Sequence, residues 1–266
     1  MKNNPYSGIS IKSELISSPH GFSTRNGGGS EGIYATLNLG MNRGDEEDRV
    51  IENWNRFLAS AGIYTKSFVC GKQVHGNRVC IVSEADLRPA YGKGIMHECD
   101  GYVTSNADVP LAVFMADCVP VLMEDPVNHV IGAVHSGWRG TVSDIEKSAV
   151  DAFISLGSRP GDIRAAIGPA IDRCCFEVGY EVIDAVKDLI GEDAERYCSK
   201  RNDKYMLDLR GVVRHRLIML GLMAENIDIV GECTMCHPDR YFSHRYSAGE
   251  RGSLAAVICM NGTSCN

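Results

Sequence analysis

The chain has 266 residues and a formal net charge of −7, with 44% hydrophobic and 23% charged residues. This length and apolar content are sufficient for a buried core, which excludes a largely disordered chain. The negative charge argues against a general affinity for nucleic acids or acidic membranes, so an anionic substrate would need a local basic patch. The longest apolar run, about Val109 to Ala116, is far shorter than the roughly 20 residues of a membrane-spanning helix.

The N-terminal segment lacks the continuous apolar stretch that secretory signals contain. We therefore expect a cytoplasmic protein, with residues 1–15 forming a peripheral segment. The chain has 11 cysteines, an odd number, and a reducing compartment keeps thiols free, so a framework of disulfides is not expected. Most of these cysteines are expected to be small buried side chains, and one or two to be ligands or nucleophiles.

Hydrophobic periodicity predicts the elements in chain order. The first is an amphipathic helix over 45–62, where apolar residues recur at helical spacing and Gly62 can end the helix. Short apolar runs then predict strands at 78–82, 111–115, 119–123, 130–134, 163–167, 227–230 and 254–260. Further helices are expected at 141–156, 180–190 and 207–220. Pro120 cannot donate to a sheet ladder, so it marks an edge strand, a bulge or a bend.

The strands cluster in the middle of the chain, and the helices are interspersed without a regular βα alternation. This pattern favours an α+β fold, with mixed β-sheets and helices packed on the outer faces, over a doubly wound parallel fold. No glycine-rich phosphate loop of the Rossmann or P-loop type follows a predicted strand. The glycine-rich stretch at 26–30 is too short to separate domains, so we predict a single domain over residues 1–266.

Potential metal ligands lie beside tight turns in three segments: Gln73–Gly76, Ala116–Pro120 and Ala133–Gly140. In the second and third, the polar residue falls at the end of an apolar strand, which holds side chains rigidly while loops leave the site open. His75, Cys118 and His135 together make a donor set that suits zinc, and three protein ligands leave a fourth position for water. Spacing alone favours ordinary histidines and an inert thiol, because ligands distant in sequence carry no local signature.

A second cysteine-rich segment is Cys233-Thr-Met-Cys236-His237, which matches the C-x-x-C-H pattern of c-type haem attachment. Haem attachment requires export to an oxidising compartment, which the N-terminal residues do not indicate. A zinc knuckle that also uses Cys174 and Cys175 stays open, although this pair lacks the usual spacing. A buried turn is the interpretation that the pattern favours.

Some arginines lie beside glycines or aromatic residues and are candidates for binding phosphate: Arg25, Arg139 and Arg245. A guanidinium group binds phosphate through a bidentate fork, and a glycine-rich turn can add backbone N–H donors. Taken singly, each of these arginines is more often a solvated surface residue.

A series of segments in fixed order resembles a known family. They include HGFSTRNGGGS (20–30), QVHG (73–76), ADCVPVL (116–122), AVHSGWRG (133–140), CTMC (233–236) and FSHR (242–245). The chain is similar to the YfiH-like family, formerly described as multicopper polyphenol oxidases or laccase-domain proteins and now associated with purine nucleoside phosphorylase activity. The matching segments run from residue 20 to residue 251, nearly the whole chain.

The resemblance implies a mononuclear zinc site, with copper as an alternative, at His75, Cys118 and His135. It also implies phosphorolysis of adenosine, inosine, guanosine and methylthioadenosine, and hydrolytic deamination of adenosine. The expected partners are therefore purine nucleosides and phosphate, not nucleic acid or membrane, and the chain is expected to act as a monomer or homodimer.

Within this activity, the candidate catalytic residues are the three metal ligands together with Asp117. In deamination, Asp117 would carry a proton to the leaving amine, although a turn residue at the strand end is its favoured role. In phosphorolysis, Arg25 and Arg139 would hold the phosphate, and Arg245 is a weaker candidate.

Two other functions stay open. Some bacterial members of the family are discussed as peptidoglycan-editing factors, in which case Cys118 would be the nucleophile of an amidase-like hydrolase. The other is a metal-stabilised binding module without enzymatic activity. A copper-dependent polyphenol oxidase is disfavoured, because a trinuclear copper cluster needs many histidines in His-x-His pairs. The chain has 8 histidines and no such pair.

Overall fold

A computed structural model of the chain describes residues 8–92 and 98–260. Within these ranges the α-helices are α1 (Glu47–Ala61), α2 (Trp138–Val142), α3 (Ile145–Ser155), α4 (Tyr180–Ile190) and α5 (Leu209–Met219). The strands are β1 (Ser10–Ile11), β2 (His20–Ser23), β3 (Ser67–Phe68), β4 (Val79–Ile81), β5 (Arg88–Pro89), β6 (Gly101–Thr104), β7 (Leu111–Met115), β8 (Val119–Asp125), β9 (Val130–Ser136), β10 (Arg164–Ile167), β11 (Glu177–Val178), β12 (Cys198–Arg201), β13 (Lys204–Leu207), β14 (Ile227–Ile229) and β15 (Leu254–Ile258). None of the helices in the described ranges is long and apolar enough to cross a membrane.

Most strands belong to two large sheets. A six-stranded mixed sheet has the order β14-β10-β8-β9-β6-β4, and its parallel pairs lie only at the two edges. A four-stranded antiparallel sheet has the order β1-β2-β15-β7. Strands β11, β13 and β12 form a small antiparallel sheet, and β3 pairs with β5.

The two large sheets pack face to face, and helices cover their outer faces. Alternate side chains of β9 point to opposite faces: Val130 and Val134 lie in the core that α3, α4 and α5 cover, whereas Ile131 and Ala133 lie between the sheets. On the other side of the molecule, α1 packs against the four-stranded sheet through Trp54 and its neighbours. These layers confirm the predicted α+β class, with mixed sheets and outer helices in a single domain.

Most predicted elements are confirmed, with ends within two residues of those expected. The predicted helix at 141–156 was wrong in one respect, because the chain forms two helices that are separated at Asp144. Asp144 has a left-handed φ of 67°, and its carboxylate accepts hydrogen bonds from Arg216, which stabilises the break. Pro120 does not lie on an edge strand. It is the second residue of the central strand β8, where its carbonyl accepts from the Gly168 N–H at 2.9 Å.

The predicted peripheral segment at 1–15 falls partly outside the described residues, since the description begins at residue 8. From there the segment is attached to the fold, because Ile9 is buried and β1 pairs with β2 at the edge of the four-stranded sheet.

The expectation of free thiols was wrong for one pair. Cys80 and Cys99 form a disulfide: Cys80 lies in β4, which pairs with β6, and Cys99 lies two residues before β6. The expectation that most cysteines are buried was also wrong. Among the free cysteines of the described ranges, three are buried and the others are half-buried or exposed: Cys70, Cys233 and Cys259 against Cys118, Cys174, Cys175, Cys198 and Cys236.

Candidate active site

Strand pairing brings the three candidate ligands to one end of the six-stranded sheet. Cys118 immediately precedes β8 and His135 lies near the end of β9, and these two strands are antiparallel neighbours in which Pro120 pairs with His135. His75 lies in the loop before β4, which pairs with β6, and β6 pairs in turn with β9. Residues that are far apart in sequence therefore meet because the sheet joins their strands.

The three side chains lie close enough to hold one ion. Their donor atoms are all within 4.8 Å of one another, and the imidazole rings of His75 and His135 are nearly perpendicular, with centroids 4.9 Å apart. Ligands on one tetrahedral zinc are separated by roughly 3.3 to 3.8 Å, given the usual bond lengths, so small side-chain movements close the site. His135 is buried, Cys118 is half-buried and His75 is exposed, so the site can be reached from one side.

Gly137 keeps the space beside these ligands free. A Cβ at this position would lie 3.1 Å from Cys118 Sγ and 3.1 Å from His75 Cδ2, so any side chain would crowd both ligands. Two imidazoles, one thiol and an uncrowded centre fit a mononuclear ion with three protein ligands. The donor set suits zinc, and it also suits copper.

Asp100 organises two of the three ligands and was not predicted from the sequence. Its buried carboxylate accepts hydrogen bonds from the backbone N–H groups of Val74 at 3.1 Å, His75 at 2.9 Å and Gly76 at 2.9 Å. Its Oδ1 also lies 2.9 Å from Nδ1 of His135, which leaves Nε2 as the ligand atom. Asp100 therefore holds both the loop of His75, whose φ is 59°, and the ring orientation of His135.

The triad and Asp100 form a chain of alternating charges. Burial would raise the pKa of Cys118, but His135 and His75 outweigh burial and lower this pKa to about 6. Burial would lower the pKa of His135, but Cys118 and Asp100 raise it to about 9. Burial would raise the pKa of Asp100, whereas hydrogen bonds from His135 and the Gly76 N–H lower it. At neutral pH the metal-free triad therefore holds a thiolate beside an imidazolium, and a metal ion must displace the proton from His135.

Asp117 lies in the turn before Cys118, with a left-handed φ of 85°. Its Oδ1 accepts from the Thr234 hydroxyl at 2.6 Å, and its Oδ2 accepts from the Arg245 N–H at 2.7 Å. Its carbonyl oxygen accepts from the Ile171 N–H at 2.9 Å. These bonds stabilise a backbone conformation that costs on the order of 1–3 kcal/mol for a residue other than glycine. They are the contacts of a turn residue, and the proton-carrier role stays a prediction.

The triad opens into a cleft of about 810 Å³. This volume lies within the range of roughly 300–1,000 Å³ that small-molecule sites occupy. The lining combines cationic side chains with aromatic ones. The cations are Arg43, Lys72, Arg88, Arg245 and Arg251, and the aromatic residues are Tyr91, Phe114 and Phe176.

Of the three arginines predicted to bind phosphate, Arg245 lines the cleft and the other two do not. Arg25 donates to the carbonyl oxygens of Ala35 and Pro238, and its guanidinium lies 4.5 Å from the ring centroid of Phe242. Arg139 is exposed on α2, with its guanidinium 4.4 Å from the ring centroid of Trp138. The structure therefore brings Arg245 to the cleft that the triad lines, whereas Arg25 and Arg139 lie outside its lining.

Arg251 and Arg43 are cleft cations that were not predicted from the sequence. Burial and the charge of Arg43 lower the pKa of Arg251 to about 10, while Asp117 and Cys118 raise it. Arg251, Arg43 and Cys118 all line the same cleft. Arg251 Nη1 donates to the Gly252 carbonyl at 2.9 Å, and its Nε is buried without a partner among the described residues. Arg251 lies in the stretch Gly-Glu-Arg-Gly (249–252), which has the same glycine spacing as the Gly-Trp-Arg-Gly stretch (137–140) that drew attention to Arg139.

A second group of potential metal ligands lies outside the cleft lining. It consists of Cys174, Cys175, Cys233 and Cys236. In the part of the chain that the structure describes, the triad and this four-cysteine cluster are the two groups of histidine, cysteine or acidic side chains with such spacing.

Comparison with known proteins gives consistent results. A family model for multi-copper polyphenol oxidoreductase laccases matches residues 19–261. The purine nucleoside phosphorylase YlmD of Bacillus subtilis is 36% identical over 249 residues, which cover 90% of this chain and 87% of that protein. The purine nucleoside phosphorylase of Deinococcus radiodurans is also 36% identical, over 93% of this chain and 91% of that protein.

Solved structures show the same likeness in three dimensions. YlmD from Geobacillus stearothermophilus has a TM-score of 0.88 at 30% identity, with 95% of this chain and 98% of that chain covered. YfiH from Bacillus licheniformis has a TM-score of 0.85 at 35% identity, with 91% and 92% covered. These matches confirm the resemblance read from the sequence segments. The chain therefore belongs to the multi-copper polyphenol oxidoreductase laccase family, together with the YfiH and YlmD proteins.

Proposed function

We propose that the chain is a metal-dependent purine nucleoside phosphorylase that acts in the cleft beside His75, Cys118 and His135. One observation carries the proposal: a triad of metal-type ligands opens into a cleft lined by guanidinium groups. The relatives that are 36% identical over 90% or more of this chain are named purine nucleoside phosphorylases, which supports the same activity here. Zinc is the metal that we propose, with copper as the alternative.

Phosphate would be held by Arg43, Arg245 and Arg251, which line the cleft from two segments, one before α1 and the other before β15. The Nε of Arg251 is buried without a protein partner, so it is a donor that a phosphate oxygen could satisfy. Charge-assisted bonds from guanidinium groups to phosphate are short and strong. Because the chain as a whole carries a charge of −7, this local group of cations is what would attract an anion.

The nucleoside would occupy the remainder of the cleft. A purine has two flat apolar faces and polar edges, so it requires aromatic or apolar walls with a few polar groups between them. Phe114 and Phe176 supply such walls in the lining, and Tyr91 adds an aromatic ring with a hydroxyl group. The guanidinium of Arg245 lies 5.7 Å from the ring centroid of Phe176, so the cationic and aromatic parts of the cleft adjoin.

In the proposed reaction a phosphate oxygen attacks C1′ of the ribose while the bond between C1′ and the purine nitrogen breaks. The products are ribose 1-phosphate and the free base, which leaves more readily when N7 accepts a proton or a hydrogen bond. A metal held by the triad would supply Lewis-acid charge in the cleft. The arginines would orient the phosphate, and Asp100 would keep the His135 ring fixed through Nδ1.

The other functions expected from the sequence stay predictions. Adenosine deamination was linked to Asp117 as a proton carrier, but both oxygens of this carboxylate already accept hydrogen bonds from Thr234 and Arg245. Peptidoglycan editing with Cys118 as nucleophile, a cytoplasmic location and a monomeric or homodimeric state are equally untested. Polyphenol oxidation stays disfavoured, because a trinuclear copper cluster needs many histidines. The two groups of potential metal ligands in the described residues contain two histidines in all.

Product analysis tests the proposal. Metal-replete protein is incubated with adenosine or inosine, with and without phosphate, and the products are separated by chromatography. We expect adenine or hypoxanthine only when phosphate is present, with an equal amount of ribose 1-phosphate. Formation of inosine from adenosine in both tubes would identify a deaminase instead. Unchanged nucleosides in every tube would overturn the proposal and direct attention to cell-wall precursors.

A further inference from the structure

The four-cysteine cluster joins two turns that are about sixty residues apart in the chain. Cys174 and Cys175 are adjacent in one turn, and Cys233 and Cys236 lie in the other. All four sulfurs are within 4.8 Å of one another, with Cys236 Sγ 3.4 Å from that of Cys174 and 3.3 Å from that of Cys175. The adjacent cysteines lack the usual spacing of a zinc knuckle, but the fold presents both of them to the C-x-x-C turn.

The spacing of the sulfurs fits one small ion. Four thiolates at the usual zinc–sulfur bond length of roughly 2.3 Å form a tetrahedron with edges of about 3.8 Å. The observed separations, from 3.3 Å to at most 4.8 Å, bracket this value. An iron–sulfur cluster places several irons and sulfides between its cysteines and spreads them further apart. The cluster is therefore the size of a site for a single ion.

The backbone around Cys233 is arranged for a thiolate ligand. The Asp172 N–H, from the segment that carries Cys174 and Cys175, donates to Cys233 Sγ at 3.4 Å. A donor of this kind stabilises a sulfur that carries negative charge. It is fixed by the fold, because Ala170 and Cys233 form a parallel bridge between the two segments.

Both turns are also held independently of any ion. The Cys175 N–H donates to the Asp172 carbonyl at 2.8 Å, and the carboxylate of Asp172 forms an ion pair with Arg210. On the other segment, the Thr234 N–H donates to the Ala170 carbonyl at 3.0 Å. The sulfurs are thus brought together by backbone contacts that do not depend on the cysteines themselves, and binding would need little further ordering.

We propose that Cys174, Cys175, Cys233 and Cys236 bind one zinc ion as four thiolates, in a closed structural site separate from the cleft. Binding releases the thiol protons to solvent and changes no oxidation state. Four protein ligands leave no position for water or substrate, which is the pattern of structural rather than catalytic zinc. Cys174 and Cys236 are exposed, so the ion can enter from the surface.

The position of the cluster shows what such an ion would stabilise. Thr234 lies between the two cysteines of one turn, and its hydroxyl donates to Asp117 Oδ1 at 2.6 Å. Ile171, which precedes the other turn, donates its N–H to the carbonyl oxygen of Asp117. Phe176 follows Cys175 directly and lines the cleft. An ion that fastens the two turns would therefore also support the backbone from which Cys118 extends.

Metal analysis of three variants tests the proposal. Cys118→Ala removes a ligand from the cleft and leaves the cluster intact, whereas the double variant Cys174→Ser/Cys236→Ser does the reverse. Cys198→Ser is the matched control, since Cys198 is a half-buried free cysteine that belongs to neither group. Each protein is purified under reducing conditions with zinc, passed over a desalting column and measured for zinc and iron by elemental analysis.

We expect the Cys118→Ala protein to retain one equivalent of tightly bound zinc, and the double variant to lose that equivalent. Cys198→Ser should match the wild type. In the Cys118→Ala protein, cobalt in place of zinc should give the intense sulfur-to-cobalt absorption of a four-thiolate site. A chelator should lower the melting temperature of this protein as the metal is withdrawn.

The Cys118→Ala protein alone can overturn the proposal, even if the double variant does not fold. Less than a tenth of an equivalent of zinc, together with no thiolate absorption on addition of cobalt, would exclude the site. Iron in place of zinc would show that the ion was wrongly assigned. Non-reducing peptide mapping that joins Cys236 to Cys174 or Cys175 in freshly purified protein would show that the cluster is a disulfide site instead.

Discussion

The triad and the four-cysteine cluster both gather potential metal ligands, but they differ in the number and type of these ligands and in their surroundings. The triad offers two imidazoles and one thiol at the base of a cleft of about 810 Å³. The cluster offers four thiols between two turns and does not line that cleft. Three protein ligands leave a coordination position for reaction, and four leave none. The number of ligands would therefore separate the proposed reactive site from the proposed structural one in the same chain.

The net charge of the ion with its ligands would also differ between the two sites. A divalent ion with a single thiolate ligand remains net positive, and the cations of Arg43 and Arg251 lie nearby, so the cleft would attract phosphate. Four thiolates around the same ion leave a net negative charge, which repels anions. Asp100 adds a carboxylate behind His135 in the triad, whereas the cluster has a neutral backbone donor, the Asp172 N–H, to Cys233.

The largest expected effect concerns the ligand Cys118. Changing Cys118 to Ala removes one of three metal donors. Loss of a residue that only hydrogen-bonds to a metal ligand typically lowers metal affinity 10- to 100-fold, so we expect loss of a ligand itself to lower the zinc affinity of the cleft by more than about 100-fold. The four-cysteine site should keep its metal. Competition with a chromophoric chelator measures both affinities, with Cys198→Ser as control. An unchanged affinity at the cleft would remove Cys118 from the ligand set.

A smaller effect is expected from Asp100→Asn. The substitution keeps the shape of the side chain but removes the charge behind His135 and replaces one acceptor oxygen by a donor. Outer partners of metal ligands typically contribute 10- to 100-fold in affinity, so we expect a loss of about that size at the cleft.

The control for Asp100→Asn is Glu98→Gln, because Glu98 is an exposed acid two residues away that is paired with Lys72. This control should bind zinc like the wild type, and cobalt absorption from the cluster should be the same in both variants. Equal zinc affinity in Asp100→Asn and Glu98→Gln would show that the contacts of Asp100 do not support the site.

The two sites should also differ in pH dependence. Between the pKa of Cys118, about 6, and that of His135, about 9, the metal-free triad carries one proton that zinc must displace. Zinc affinity at the cleft should therefore rise about tenfold per pH unit in this window, level off above it and fall more steeply below it.

Calorimetry in buffers of different ionisation enthalpy measures the protons released per zinc bound. The Cys174→Ser/Cys236→Ser protein isolates the cleft, and we expect about one proton at pH 7.5. The Cys118→Ala protein isolates the cluster, where more protons should be released because four thiols are ionised. Equal proton release in the two proteins would contradict the distinction between the sites.

The smallest expected effect is a change in the KM for phosphate, which should distinguish an arginine that lines the cleft from one that lies outside it. Arg251→Ala should raise the KM for phosphate about tenfold, which corresponds to the loss of one charged hydrogen bond. Arg139→Ala, on an exposed helix, tests the prediction made from the sequence alone. Steady-state kinetics at varied phosphate measures both. A raised KM in Arg139→Ala with an unchanged KM in Arg251→Ala would place phosphate outside the proposed part of the cleft.

The sequence predicted the central strands well, because strands that are buried on both faces read as short continuous apolar runs. Cys118 and His135 could be placed at strand ends for the same reason. Their convergence with His75 could not be derived from spacing, since it depends on the pairing of β4, β6 and β9. From the residues alone the three formed one possible donor set for zinc, and the resemblance to a family is what favoured it over ordinary histidines and an inert thiol.

Asp100 was not predicted from the sequence, and the four-cysteine cluster was left open as a zinc knuckle but ranked below a buried turn. Asp100 precedes a strand of four residues, and its partners are backbone N–H groups about 25 positions earlier in the chain. The cysteine cluster escaped the spacing rules because two of its members are adjacent, and because the bridge between Ala170 and Cys233 sets their position. Both features depend on long-range backbone contacts that leave no local pattern.

The most direct test is phosphate-dependent release of hypoxanthine from inosine, measured with zinc content in the wild type, Cys118→Ala and Cys174→Ser/Cys236→Ser proteins. We predict that the wild type forms hypoxanthine and ribose 1-phosphate in equal amounts and that Cys118→Ala forms neither while it keeps its cluster zinc. The folded double variant should retain phosphorolysis without that zinc. Full activity in Cys118→Ala, or release of hypoxanthine without phosphate, would contradict the assignment of the reaction to the triad.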